Sequence, residues 1–196
     1  MKHLVVLPGN SIKNQSWGIR MASHYMEHFD SIHIAEYEHW KTGKANIDLA
    51  LEEKNLQEHV ASLPKETQIT VLAKSAGSIL TFLAVKSGAI NPSYCVFFGI
   101  PMDWAAVDVF YGKWTFLTDF TCPAIAFHND NDPTAPYEYT KKIVDNYLPR
   151  VSFTGVGTYH LHLFFQHILG WLSDKHRLVR SWLGNKSGLK TLLIQP

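Results

Sequence analysis

Short apolar runs separated by polar turns divide this chain. Leu4–Leu7, Ser31–Ala35, Ile69–Ala73, Tyr94–Phe98, Ala124–His128 and Val151–Thr154 are mostly continuous runs rather than strict alternations, the pattern of strands covered on both faces. Between them lie stretches with helical spacing: Trp17–Phe29, Ile47–Leu63, Ala76–Lys86, Tyr137–Leu148 and a last one from His162 onward. Strand and helix alternate, which predicts an α/β fold: a three-layer, doubly wound, mostly parallel sheet of about six strands in the order 2-1-3-4-5-6, joined by right-handed crossovers. In that order strands 1 and 3 are neighbours whose helices leave to opposite faces, and a crevice opens between their carboxyl ends. Two unusual turns converge there, Pro8-Gly9-Asn10-Ser11 after strand 1 and the turn at Ser75 after strand 3.

Composition narrows the picture without redirecting it. With 196 residues, 46% hydrophobic, the chain suffices for one full core. A net charge of +1 with no long like-charge run gives no footprint for nucleic acid. No apolar run is long enough to span a bilayer. The start, Met-Lys-His-Leu-Val-Val-Leu-Pro-Gly, has too short an apolar stretch for a signal peptide and reads as the first strand. Cys95 and Cys122 read as buried thiols in a reducing cytoplasm. Residues 101–120, rich in aromatics, are either a small cap beside the crevice or a helix and loop packed on the sheet. Residues 173–196, a last helical piece and tail, are expected to belong to the same domain as 1–172. The tail's apolar run either packs on the body or joins a homodimer.

The candidate chemistry centres on Ser75. Small residues, Ala73 and Gly77, flank it at two positions either side, between an apolar run and a helix-forming segment. This small-x-Ser-x-small pattern belongs to a nucleophile elbow, a strand-to-helix turn too sharp for large neighbours. A serine hydroxyl needs a base to take its proton and a third group to orient that base. The run Asn129-Asp-Asn-Asp132-Pro-Thr-Ala-Pro136 places Asp132 at a strand's carboxyl end in a proline-stiffened loop. Asp130 is its near competitor and Asp103 a more distant one, and all three also suit turns and helix caps. For the base, His160 follows a glycine-containing loop after the last strand, with His162 as its rival. The oxyanion pocket would take its donors from the backbone N–H groups of Ala76 and Asn10. One such donor contributes about 2.7–4 kcal/mol to transition-state stabilisation.

Pro8-Gly9-Asn10, Ala73-Lys-Ser75-Ala-Gly77, His128-Asn-Asp-Asn-Asp132-Pro and Gly157-Thr-Tyr-His160 together resemble the α/β-hydrolase superfamily, in which the chain order is serine, acid, histidine. The small size and the Pro-Gly-Asn turn are similar to its compact members of the retinoblastoma-binding-protein-nine type. The resemblance spans roughly residues 1–172. It implies a Ser75–His160–Asp132 triad that splits a small-molecule acyl ester, thioester or amide through an acyl-enzyme, with no metal or organic cofactor. Ala73 stands where glycine is commonest, Lys74 where many members have histidine.

Three other readings compete. His24-Tyr-Met-Glu27-His28 spells an H-x-x-E-H zinc pattern, yet helical projection sets Trp17, Met21, Ala22, Tyr25, Met26 and Phe29 on the apolar stripe and both histidines at its margin. Gly9 and Glu36 sit where a dinucleotide site would need them, but Ser11, Ile12 and Lys13 replace the rest of the glycine pattern. A non-catalytic binding module of the same fold would keep the crevice and use Ser75 only as a turn residue.

Overall fold

The computed structural model describes residues 1–133 and 135–157. Six strands form one parallel sheet: β1 Lys2–Leu7, β2 Ser31–Ile34, β3 Gln68–Lys74, β4 Tyr94–Phe98, β5 Ala124–Asn129 and β6 Val151–Val156, in the order β2-β1-β3-β4-β5-β6. The expected strand order is therefore the observed one. Each strand lies within a residue or two of its apolar run; in the central strands burial on both faces removes the polar alternation, while the edge strands β2 and β6 are largely half-buried. Leu4, Val5, Val6 and Leu7 are fully buried, as are Val71, Leu72 and Ala73.

Helices cover both faces. On one, α1 (Asn14–Tyr25) buries Trp17, Gly18, Met21, Ala22 and Tyr25, and Trp17 meets Phe98 edge-on at 5.6 Å. On the other, α4 (Ala76–Ser87) brings Phe82 to 5.0 Å from Phe97 and 5.1 Å from Phe120. The helices after β1 and β3 thus leave to opposite faces, as the doubly wound pattern requires. Next come α2 (Glu38–Thr42), which ends at Gly43 in the left-handed region with φ 74°, and α3 (Leu49–Ala61), whose Asp48 cap accepts from the Leu51 N–H at 3.1 Å. After β4 come α5 (Met102–Asp108) and a 3₁₀ segment, Trp114–Asp119. Met102, Ala105, Phe110, Leu117 and Phe120 of this aromatic stretch are buried in the main core. Helix α6 (Tyr137–Tyr147) precedes β6.

One helix boundary corrects the sequence reading. The α-helix stops at Tyr25 and Met26–His28 continue as a 3₁₀ turn. The change from 3.6 to 3.0 residues per turn rotates the face, so Met26, expected on the apolar stripe, is 62% exposed. It also takes Glu27 and His28 off the α-helical face that His24 occupies. Among the described residues no group of three or more His, Cys, Asp or Glu side chains is arranged to hold a metal ion, and no helix is long and apolar enough to cross a membrane. Cys95 and Cys122 are buried free thiols with sulfurs 3.6 Å apart, and burial, followed by the Cys122 neighbour, pushes the Cys95 thiol well up.

Candidate active site

Ser75 joins β3 to α4 with φ 49° and ψ −121°. A non-glycine residue there carries backbone strain on the order of 1–3 kcal/mol. The turn is fixed on both sides: the Ser75 N–H donates to the Phe98 carbonyl at 3.0 Å, and its own carbonyl accepts from the Ser78 N–H at 2.8 Å. Close approach of backbones explains the small neighbours. A Cβ on Gly77 would lie 2.2 Å from the Leu7 oxygen and 2.7 Å from the Pro8 oxygen, so the first turn of α4 rests directly on the end of β1. A Cβ on Gly9 would lie 3.2 Å from the Ser75 Cβ. The structure therefore brings the Pro8–Asn10 turn and Ser75 together. As the first residue of α4, Ala76 has no intrahelical acceptor for its N–H.

Asn10 is held almost entirely by its own polar atoms. Its side-chain amide donates to the Ala45 carbonyl at 3.1 Å and accepts from the Ile47 N–H at 2.7 Å. Its backbone carbonyl accepts from His39 Nε2 and from Trp40 Nε1, both at 2.7 Å. The polar group of Asn10 that these bonds do not use is its backbone N–H.

Asp132 and its competitor separate in space. The Asp132 carboxylate lies 3.7 Å from where a Gly99 Cβ would be, just past the end of β4. The Asp130 carboxylate instead occupies the space over Gly155 of β6, where a Cβ would meet it at 2.2 Å. Asp103 lies in the first turn of α5. His160 and His162 lie outside the described residues, as do the helix expected from His162 and the 173–196 tail.

Lys74, immediately before Ser75, donates to Asn14 Oδ1 at 2.8 Å and lies 5.7 Å over the Trp17 ring. Partial burial, with Arg20 second, holds its ammonium below the usual range, and Asp132 acts in the opposite sense. The same Asn14 side chain abuts Gly9, where a Cβ would meet its Nδ2 at 2.7 Å. Asn14, Tyr37, His39 and Trp40 all contact the Pro8–Asn10 turn, Asn14 holding Lys74 as well, and escaped the sequence reading. One signal was available: Tyr37-Glu-His-Trp40 begins three residues past the end of β2, and every parallel strand ends at the same edge of the sheet.

No protein-family model matches the chain, and no curated protein matches it significantly in sequence. Solved structures do match in shape. Est1E from Butyrivibrio proteoclasticus, solved with ferulic acid bound, superposes with a TM-score of 0.69 at 14% identity, over 89% of each chain. Mouse alpha/beta hydrolase domain-containing protein 10 gives 0.62 at 11% identity, over 89% of this chain and 90% of that one. An uncharacterized protein from Bacillus cereus gives 0.68 at 12% identity; the match takes in 88% of this chain but 60% of that longer one. Sheet order, the strained turn at Ser75 and these likenesses agree on one architecture: the chain has the α/β-hydrolase fold.

Proposed function

We propose that this protein is a serine hydrolase that cleaves a small acyl ester, thioester or amide. The observation that carries the reading is Ser75 itself, a non-glycine residue at φ 49° between a buried strand and a helix N-terminus. Strain of this kind persists only where surrounding structure enforces it. In this reading Ser75 Oγ adds to the substrate carbonyl carbon while the base, His160 with His162 as its rival, takes the hydroxyl proton. The N–H groups of Asn10 and Ala76 receive the oxyanion. The bond to the leaving group breaks as the histidine returns the proton to it, and water repeats the two steps to free the acid. Asp132 holds the imidazole tautomer.

The test is labelling by a fluorophosphonate probe on the native protein. Labelling of the wild type that vanishes in Ser75→Ala is the expected result. An unlabelled wild type would overturn it in favour of a binding module that keeps the crevice without an activated serine.

A further inference from the structure

We propose that the segment from Tyr37 to Ile47 is a positioning clamp for the oxyanion turn, with His39 and Trp40 as its positioning residues. The inference rests on the serine-hydrolase reading and adds to it residues that act through the turn. Five hydrogen bonds run from this segment to the Pro8–Asn10 turn. Tyr37 Oη donates to the Pro8 carbonyl at 2.8 Å; His39 Nε2 and Trp40 Nε1 donate to the Asn10 carbonyl; Ala45 and Ile47 hold the Asn10 side chain. A peptide carbonyl with two short donors has both lone pairs occupied, so the plane that carries it cannot swing. The two carbonyl bonds fix the Asn10–Ser11 peptide plane; with the side-chain bonds they hold the Asn10 Cα from two sides and so place its own nitrogen, while the Tyr37 bond to the Pro8 carbonyl holds the other end of the turn.

The chemistry of the donors supports a directional role. A carbonyl only accepts, so His39 must carry its proton on Nε2. Its Nδ1 is buried with no partner among the described residues, and the residue is 5% exposed. A residue chosen merely to fill this space would not bury an unpaired nitrogen, whereas imidazole is rigid and reaches the carbonyl with a donor at a fixed angle. The clamp has its own support. Buried Glu52 of α3, 5% exposed, accepts from the Glu38 N–H at 2.7 Å, anchoring the start of α2. Burial, with Glu52 second, pushes the Tyr37 phenol well up, so that it stays a donor.

The experiment measures turnover of p-nitrophenyl acetate per serine titrated by fluorophosphonate, in wild type, His39→Leu, His39→Gln and Trp40→Phe. A glutamine amide places a donor near the position of Nε2. Expected are a kcat lower by about tenfold in His39→Leu and in Trp40→Phe, with KM within about twofold, and recovery of most of that loss in His39→Gln. Counting only titrated serines removes any loss that comes from unfolded protein. A labelled wild type with unchanged kcat in both His39→Leu and Trp40→Phe would overturn the clamp alone. A wild type that neither labels nor turns over would overturn the hydrolase reading beneath it.

Discussion

At the carboxyl ends of β1 and β3, imidazole serves as a donor: His39 aims one N–H at one carbonyl, beside a serine held at φ 49°. Toward the amino end of β1 and in neighbouring β2, imidazole stacks and pairs with its own kind. His33 stacks on His59 with ring centroids 3.8 Å apart, and His3 Nε2 lies 2.9 Å from His59 Nε2 while its Nδ1 meets Ser31 Oγ at 2.7 Å. Two facing nitrogens share one proton, so the His3–His59 contact requires at least one neutral ring. Burial lowers all three imidazole pKa values, and His33, with its histidine neighbours adding to burial, falls to about 4. The contrast separates two uses of polarity in one sheet. At the carboxyl end directional bonds and strain fix where groups point, and damage there should appear in rate. At the amino end histidine rings stack on and hydrogen-bond to one another and to Ser31, and damage should appear in stability.

The sharpest break in that contrast is Ser75→Ala. Turnover should fall by about 10⁶-fold, since removal of a serine nucleophile costs on this order, while the urea midpoint stays nearly where it was. A kcat within tenfold of wild type would sink the assignment. Gly77→Ala comes next and crosses the divide, since its Cβ would lie 2.2 Å from a backbone oxygen that no side-chain rotation can move. The expected cost is about 3 kcal/mol of stability, read as a lower urea midpoint, together with lost turnover. An unchanged midpoint would mean that α4 does not rest on β1 as described.

Much of this was legible in the sequence, for reasons that differ by element. Strands such as Tyr94–Phe98 announce themselves because both faces are buried. Ser75 and Gly77 were legible because a turn this tight excludes large side chains. Asp132 was legible only as one of two acids in a loop; its direction, toward Gly99 rather than Gly155, depends on how β5 ends against β4 and β6. The clamp was hidden for a different reason. Helix α2 has five residues, Glu38–Thr42, too few for hydrophobic periodicity to register, and its bonds reach a turn some thirty positions earlier. Met26 was misplaced because a 3.6-residue projection was carried into a 3₁₀ turn.

Acid sharpens the comparison from the amino end. A histidine whose folded pKa is depressed binds its proton more readily in the unfolded chain, so protonation favours unfolding. The contribution from His33 is fully present above about pH 6.5, the unfolded value, and is lost as pH falls through about 4. Because the ring partly meets solvent, the loss is on the order of 2 kcal/mol, less than the whole shift would imply. Urea midpoints taken from pH 7.5 to 4.5 should fall, and the fall should be shallower in His33→Leu. Equal slopes in the two proteins would show that the stack is not what acid attacks.

The smallest expected effect carries the comparison furthest. Ser75→Gly relieves a strained φ that glycine adopts freely, a gain of roughly 1–3 kcal/mol, set against the greater backbone entropy of glycine in the unfolded chain, about 0.5–1 kcal/mol. The balance predicts a protein about 1 kcal/mol more stable than wild type and without turnover. Ser75→Ala has no such relief, since alanine keeps the Cβ that makes φ 49° costly. Subtracting the two midpoints cancels the lost hydroxyl and leaves the backbone term. If glycine and alanine were equally stable here, the turn would hold no strain, and the observation that carries the hydrolase reading would lose its physical basis. If glycine is the more stable, the serine found at this position runs against stability, as expected where a group is present for what it does rather than for what it holds together.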